Sequence, residues 1–201
     1  MLIDIVILPP SDVRWAVSHF NKKLKTQFQL KWIVDNKRLV PHISLYHIRI
    51  DKNKLSEVVL EVNKIAKRVK KVPIGFVGSN GHYPYFGINA SKSNKLYILH
   101  KQVVEKLKDQ RKGEMPFVHL PQTLLAKKYA KNYGAIGVFS KYNPHITLGA
   151  TNKESDFLAL LEKINKNKNL FKSFMADTIA ITEIDKYWQV VKILKKFKLK
   201  A

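Results

Sequence analysis

Two short strings that nearly repeat each other set the strongest limits on this chain. Pro41-His42-Ile43-Ser44-Leu45 and Pro144-His145-Ile146-Thr147-Leu148 lie about half the sequence apart, and each places a histidine two residues before a hydroxyl. In an extended strand, residues i and i+2 share a face. His42 and Ser44 therefore point one way and Ile43 and Leu45 the other, and the second string divides in the same manner. One face of each strand is chemical and the other belongs to a core. The repeated unit is a group that titrates near neutral pH beside a neutral hydrogen-bonding group. Either string alone describes a half-buried strand with a merely hydrogen-bonded histidine. Two facing each other would supply an acid, a base and two hydroxyl clamps.

The composition narrows the remaining choices. A chain of 201 residues, 45% apolar, suits one domain or two small lobes around a sizeable core. It has no cysteine, so disulfides, thiolate metal sites and cysteine nucleophiles are absent. It holds no H-x-H or H-E-x-x-H string and no carboxylate cluster, so neither a metal nor a cofactor is expected. Residues 1–8 are apolar but lack a basic leader and include Asp4, which argues against an intact signal peptide. No run approaches the roughly 20 apolar residues of a membrane span, so the expectation is a cytoplasmic protein without membrane association. The excess of 37 Lys+Arg over 15 Asp+Glu gives a formal charge of +22, which attracts polyanions such as nucleic acid or anionic lipid. A lysine- and asparagine-rich composition, with no functional meaning, accounts for the same excess.

Strands and helices intermingle along the whole chain. Apolar runs and alternation predict strands over residues 2–8, 39–50, 72–77, 85–90, 143–150, 171–183 and 187–199. Helical spacing predicts helices over residues 12–28, 54–71, 94–111, 122–132 and 154–166. Gly78-Ser79-Asn80-Gly81 reads as a turn and residues 112–120 as a loop. No Ser/Gly/Pro-rich linker divides the sequence, and a helix follows each motif strand. The expected class is α+β, with residues 1–201 forming one bilobal domain that carries one motif per half, at 42–44 and 145–147.

The pattern resembles the 2H phosphoesterase superfamily, also called the LigT-like or 2′-5′ RNA ligase-like family. Its members carry two H-h-[T/S]-h strings, h being apolar, separated by roughly half the chain. Here these are His42-Ile43-Ser44-Leu45 and His145-Ile146-Thr147-Leu148, and Asn143-Pro144-His145-Ile146-Thr147-Leu148-Gly149 is especially similar to the second. Serine in the first string departs from the commoner threonine. The resemblance implies two antiparallel-rich sheets with outer helices, related by a pseudo-twofold around a central cleft. It also implies metal-independent cleavage of phosphodiesters: 2′,3′-cyclic phosphates at RNA ends, 2′-5′ linkages, or RNA 3′ ends. His42 and His145 would then be the general acid and base, and Ser44 and Thr147 the phosphate-binding hydroxyls. The physical logic agrees, because an in-line displacement needs one proton taken and one given. Which histidine does which is open. The expected partner is RNA, an oligonucleotide or a cyclic nucleotide, with no obligate protein partner. A non-catalytic basic RNA-binding protein, and 2′-5′ ligation in the reverse direction, are the alternatives.

Other residues receive roles by position. Strict alternation aims Tyr46 to the same side as His42, where it could stack on a base. Tyr85, Phe86 and Tyr142 are further stacking candidates. The same alternation sends His47 to the opposite face, away from the site. His19 and His100 read as ordinary helical residues, and His82 and His119 as turn residues. Trp15, Trp32 and Trp188 read as packing residues. The lysine-rich runs around residues 67–71, 127–131 and 195–200 read as solvated faces, or as a phosphate track if two flanked the cleft.

Overall fold

A computed structural model describes residues 1–115 and 123–201. The elements run β1 (Leu2–Ile7), α1 (Ser11–Gln27), β2 (Leu30–Ile33), β3 (Ile43–Arg49), α2 (Leu55–Arg68), β4 (Val72–Ile74), β5 (Phe76–His82) and β6 (Tyr85–Ala90). They continue as α3 (Asn94–Leu107), α4 (Leu124–Tyr133), β7 (His145–Thr151), α5 (Glu154–Lys166), β8 (Phe174–Ala176), β9 (Thr178–Ile184) and β10 (Val190–Lys198). Two four-stranded antiparallel sheets form, one ordered β10-β9-β1-β3 and the other β2-β7-β6-β5. A short β4–β8 ladder forms a separate two-stranded sheet. The fold is α+β with two lobes.

The two sheets are related by a pseudo-twofold. The run β1-α1-β3-α2-β4-β5 matches β6-α3-β7-α5-β8-β9 element for element. In one sheet β1 lies between β3 and β9, and in the other β6 lies between β7 and β5. The edge strands β10 and β2 and the helix α4 are the additions that break the match. The chain also exchanges helices between lobes: α1 packs on β2 and β7, and α3 packs on β3. This exchange ties each motif strand to the opposite half of the sequence.

Apolar periodicity explains the elements. In α2 the buried positions are Val58, Val62, Ile65 and Ala66, one stripe at helical spacing. β1 is buried along nearly its whole length because strands flank it and helices cover the sheet. Four expectations need correction. The strand expected over residues 72–77 is split between β4 and the start of β5, in different sheets. Gly78–Gly81 is not a turn but lies inside β5, paired with β6; the reversal comes one step later, at the cis Tyr83–Pro84 bond. β2 has no counterpart among the expected strands, because Leu30–Ile33 is only four residues long and too short to show alternation. The long strand expected over residues 171–183 is two strands, β8 and β9, in different sheets. Residues 116–122, which include His119, part of the expected loop and the start of the expected fourth helix, lie outside the described residues. No helix among the described residues is long and apolar enough to cross a membrane.

Candidate active site

β3 and β7 approach each other between the two sheets. At the head of each, a histidine is locked in the same way. His42 Nδ1 lies 2.8 Å from the Val40 carbonyl oxygen, and His145 Nδ1 lies 2.8 Å from the Asn143 carbonyl oxygen. A carbonyl can only accept, so each Nδ1 carries the hydrogen and each Nε2 is left to the cleft. Proline is the intervening residue in both cases. Its fixed φ, and the extended conformation it imposes on the residue before it, hold that carbonyl within reach of the ring.

A β-bulge follows each hydroxyl. In the β1–β3 ladder Val6 pairs with Ser44 and Ile5 with Tyr46, leaving Leu45 extra. In the β6–β7 ladder Gly87 pairs with Thr147 and Phe86 with Gly149, leaving Leu148 extra. Each bulge carbonyl is held by a fully buried polar side chain on the helix donated by the other half. His100 Nδ1, from α3, reaches the Leu45 carbonyl oxygen at 2.7 Å, and Asn21 Nδ2, from α1, donates to the Leu148 carbonyl oxygen at 2.8 Å. Glycine is required beside the second bulge, because a Cβ at Gly149 would sit 2.6 Å from the Trp32 carbonyl oxygen and 2.8 Å from the Phe86 ring.

The bulge overturns two assignments. An extra residue reverses alternation beyond it, so Tyr46 turns into the core and His47 turns to the site. Tyr46 is 2% exposed and donates its hydroxyl hydrogen to the Tyr133 carbonyl, which excludes base stacking. His47 Nε2 instead lies 3.1 Å from Ser44 Oγ and 3.0 Å from Asp4 Oδ2. Phe86 and Tyr142 are also buried and offer no open ring face. Tyr142 stacks on His100 at 3.8 Å between centroids and donates to the Ser44 carbonyl at 3.1 Å, so it braces the first motif. Tyr85 alone of the four stacking candidates keeps an accessible ring, lying near Trp32 and His82.

Asp4 was missed because nothing in its local sequence marks it. It is fully buried on β1, its Oδ2 is 3.9 Å from His42 Nε2, and neither carboxylate oxygen has an aligned hydrogen-bond donor. Among the described residues no group of three such side chains is arranged to hold a metal ion. Burial lowers the pKa of His42 below its ordinary value; the Asp4 charge and the Val40 bond oppose this, and His47 adds to it. His145 shows the same downward direction, again chiefly from burial, with His42 and His47 reinforcing it. The mutual influence places the three imidazoles and Asp4 in one electrostatic neighbourhood.

His100 is a structural histidine. Its Nδ1 donates to Leu45 and its Nε2 accepts from the Phe139 backbone N–H at 2.9 Å, so no ring nitrogen is free to take a second proton. Burial pushes its pKa from 6.5 down to about 4. The unfolded chain therefore binds this proton first as pH falls, and stability is lost between pH 6.5 and about 4. At pH 4.5 the loss from this residue is expected to be roughly 2–3 kcal/mol relative to pH 7. Denaturant unfolding at both pH values checks this, and His100→Phe should shrink the difference by that amount. An unchanged difference would refute the assignment.

An aromatic rim spans the two lobes. Trp32 on β2 lies 6.1 Å from Tyr85 and 6.2 Å from Tyr187, which belongs to the turn between β9 and β10. Lys31 and Lys186 place their ammonium groups 5.3 and 5.2 Å from the Tyr187 ring centroid. Asp185 shapes this turn by accepting from the Tyr187 and Gln189 backbone N–H groups at 2.8 and 2.9 Å.

The sequence profile of the 2′-5′ RNA ligase superfamily matches residues 16–188. The chain belongs to this superfamily. Its fold is that of the LigT-like 2H phosphoesterases. The Thermus thermophilus protein TT0787 superposes with a TM-score of 0.66 at 14% identity, covering 99% of this chain and 98% of that one. Escherichia coli LigT complexed with 3′-AMP gives 0.60 at 13% identity, over 99% and 97%. Kluyveromyces marxianus Usb1 gives 0.52 at 12%, over 98% of both chains. No curated protein sequence matches significantly. Membership in the 2′-5′ RNA ligase superfamily supports phosphoesterase-type, RNA-processing chemistry at the coarse level.

Proposed function

We propose that this protein is a metal-independent phosphodiesterase that hydrolyses 2′,3′-cyclic phosphate or 2′-5′ linkages at the ends of RNA or oligonucleotides. The observation that carries the reading is the duplicated lock: two imidazoles held through Nδ1, each with Nε2 free and a hydroxyl two residues on. One Nε2 takes a proton from the attacking water or hydroxyl while the other gives one to the leaving oxygen. Ser44 and Thr147 donate to the non-bridging oxygens as charge builds there. Residues 1–201 act as one bilobal domain, since neither half holds a complete acid–base pair.

The rim of Trp32, Tyr85 and Tyr187 with its two lysines offers a stacking surface and positive charge for a nucleobase and its phosphate. A 3′-AMP complex is known for E. coli LigT, which shares this fold. Further out, the basic runs near residues 70 and 200 meet through a Lys70–Lys200 bridge and give a polyanion a second foothold.

The test is hydrolysis in EDTA of 2′,3′-cyclic nucleotides, a base-free ribose cyclic phosphate, 2′-5′ oligoadenylate and RNA ending in a cyclic phosphate. Turnover in EDTA is expected, with the base-free compound penalised mainly in KM. RNA binding without turnover of any substrate would favour a non-catalytic RNA-binding protein. The pH profile should be bell-shaped. Both imidazoles titrate below the ordinary 6.5 in the free enzyme, so the kcat/KM optimum should lie on the acid side of that value. A bound phosphate anion favours the protonated forms, so the kcat optimum should lie at higher pH. A profile flat from about pH 5 to 9 would exclude paired imidazoles.

A further inference from the structure

We propose that His47, set by Asp4, is a positioning residue that aims the Ser44 hydroxyl into the cleft. The inference rests on reading Ser44 as a phosphate-binding group and adds two residues that the motif strings do not contain. His47 Nε2 stands 3.1 Å from Ser44 Oγ in an aligned hydrogen bond and 3.0 Å from Asp4 Oδ2. Asp4 and His47 are register partners across β1 and β3, so both side chains leave the sheet on the site face. A buried negative charge at that distance holds the ring hydrogen on Nε2. That N–H donates to Ser44 Oγ, and the serine's own hydrogen is left to point at a phosphate oxygen. The Trp188 ring, 5.7 Å from His47, covers the imidazole from the β9–β10 turn.

The second half shows why the first needs this device. The register pair equivalent to Asp4–His47 is Tyr85–Ala150, which offers neither charge nor ring nitrogen. Thr147 makes no side-chain hydrogen bond among the described residues. Threonine does not need one, because its second Cβ substituent restricts χ1, whereas serine rotates freely. Within the two motifs the pseudo-twofold is broken here: a stiff hydroxyl stands alone, and a loose one is held by a partner.

The test is a rescue. His47→Ala should lower kcat about 10- to 100-fold, the range set by loss of aim rather than loss of the donor itself, with KM changing by less than about threefold. Adding Ser44→Thr should restore kcat to near that of Ser44→Thr alone, because β-branching replaces the lost partner. No loss in His47→Ala, or a loss that Ser44→Thr leaves untouched, overturns the proposal. If His47→Ala strands Asp4 and does not fold, Asp4→Ala/His47→Ala removes both partners and is read in the same way. Binding of orthovanadate, which takes up the pentacoordinate geometry of the transition state, gives a readout without turnover. Affinity should fall in His47→Ala and return with Ser44→Thr, and equal affinities in all three proteins refute positioning. A parent inert on every diester but showing this vanadate pattern refutes the phosphodiesterase reading and upholds the role of His47.

Discussion

Turnover of the best substrate is expected to fall about 10³-fold or more in His42→Ala and by a similar factor in His145→Ala. In the proposed mechanism the two residues form one proton-transfer unit, so the double variant should be little worse than either single variant. The structure gives both rings the same lock and the same free nitrogen, and no neighbouring imidazole can replace either. His47 is the nearest substitute, but its Nε2 is hydrogen-bonded to Ser44 Oγ and lies 3.0 Å from Asp4 Oδ2. Each truncation also leaves a carbonyl without its donor, at a cost of about 1–3 kcal/mol, which the fold should tolerate. Single-turnover rates, with circular dichroism to verify folding, are the measurement. A variant keeping a tenth of the parental rate would remove its histidine from the chemistry.

The second large effect belongs to the hydroxyls. Thr147→Val keeps the shape and β-branching of the side chain and deletes only the oxygen. It should lower kcat about 10²- to 10³-fold, the range for losing one donor to developing charge. Ser44→Ala should cost a similar factor. KM should move far less in both, because the bonds tighten as the phosphorus becomes pentacoordinate. Thr147→Ser should lose about 10- to 100-fold, the range expected for His47→Ala, since the oxygen remains but is left unrestrained, with no partner to aim it. Equal losses in kcat and in ground-state affinity would instead make these residues simple binding groups.

Local pattern was enough to pair each motif histidine with a hydroxyl, the groups to which the proposed chemistry is assigned. The two histidines and two hydroxyls could be named from spacing, because alternation within three residues is a property of any strand and does not depend on its neighbours. Helices α2 and α5 lie close to their expected bounds, because their apolar stripes are long and regular. The site assignments that failed depend on contacts between distant parts of the chain. Tyr46 and His47 exchanged faces because Leu45 bulges, and the bulge exists only because β3 must pair with β1. Asp4 sits far from the motif in sequence, and only that pairing brings its carboxylate beside two imidazoles. Tyr142 lies next to the second motif but spends its ring on His100 and its hydroxyl on the first motif strand.

The chain on its own thus determined which chemical groups are available and the order in which the elements follow. Tertiary structure decided which groups meet and which way they face. Side-chain direction along a strand has a period of two residues, so a single bulge reverses everything beyond it. That reversal comes from hydrogen bonding to a distant strand, which no window of local sequence contains.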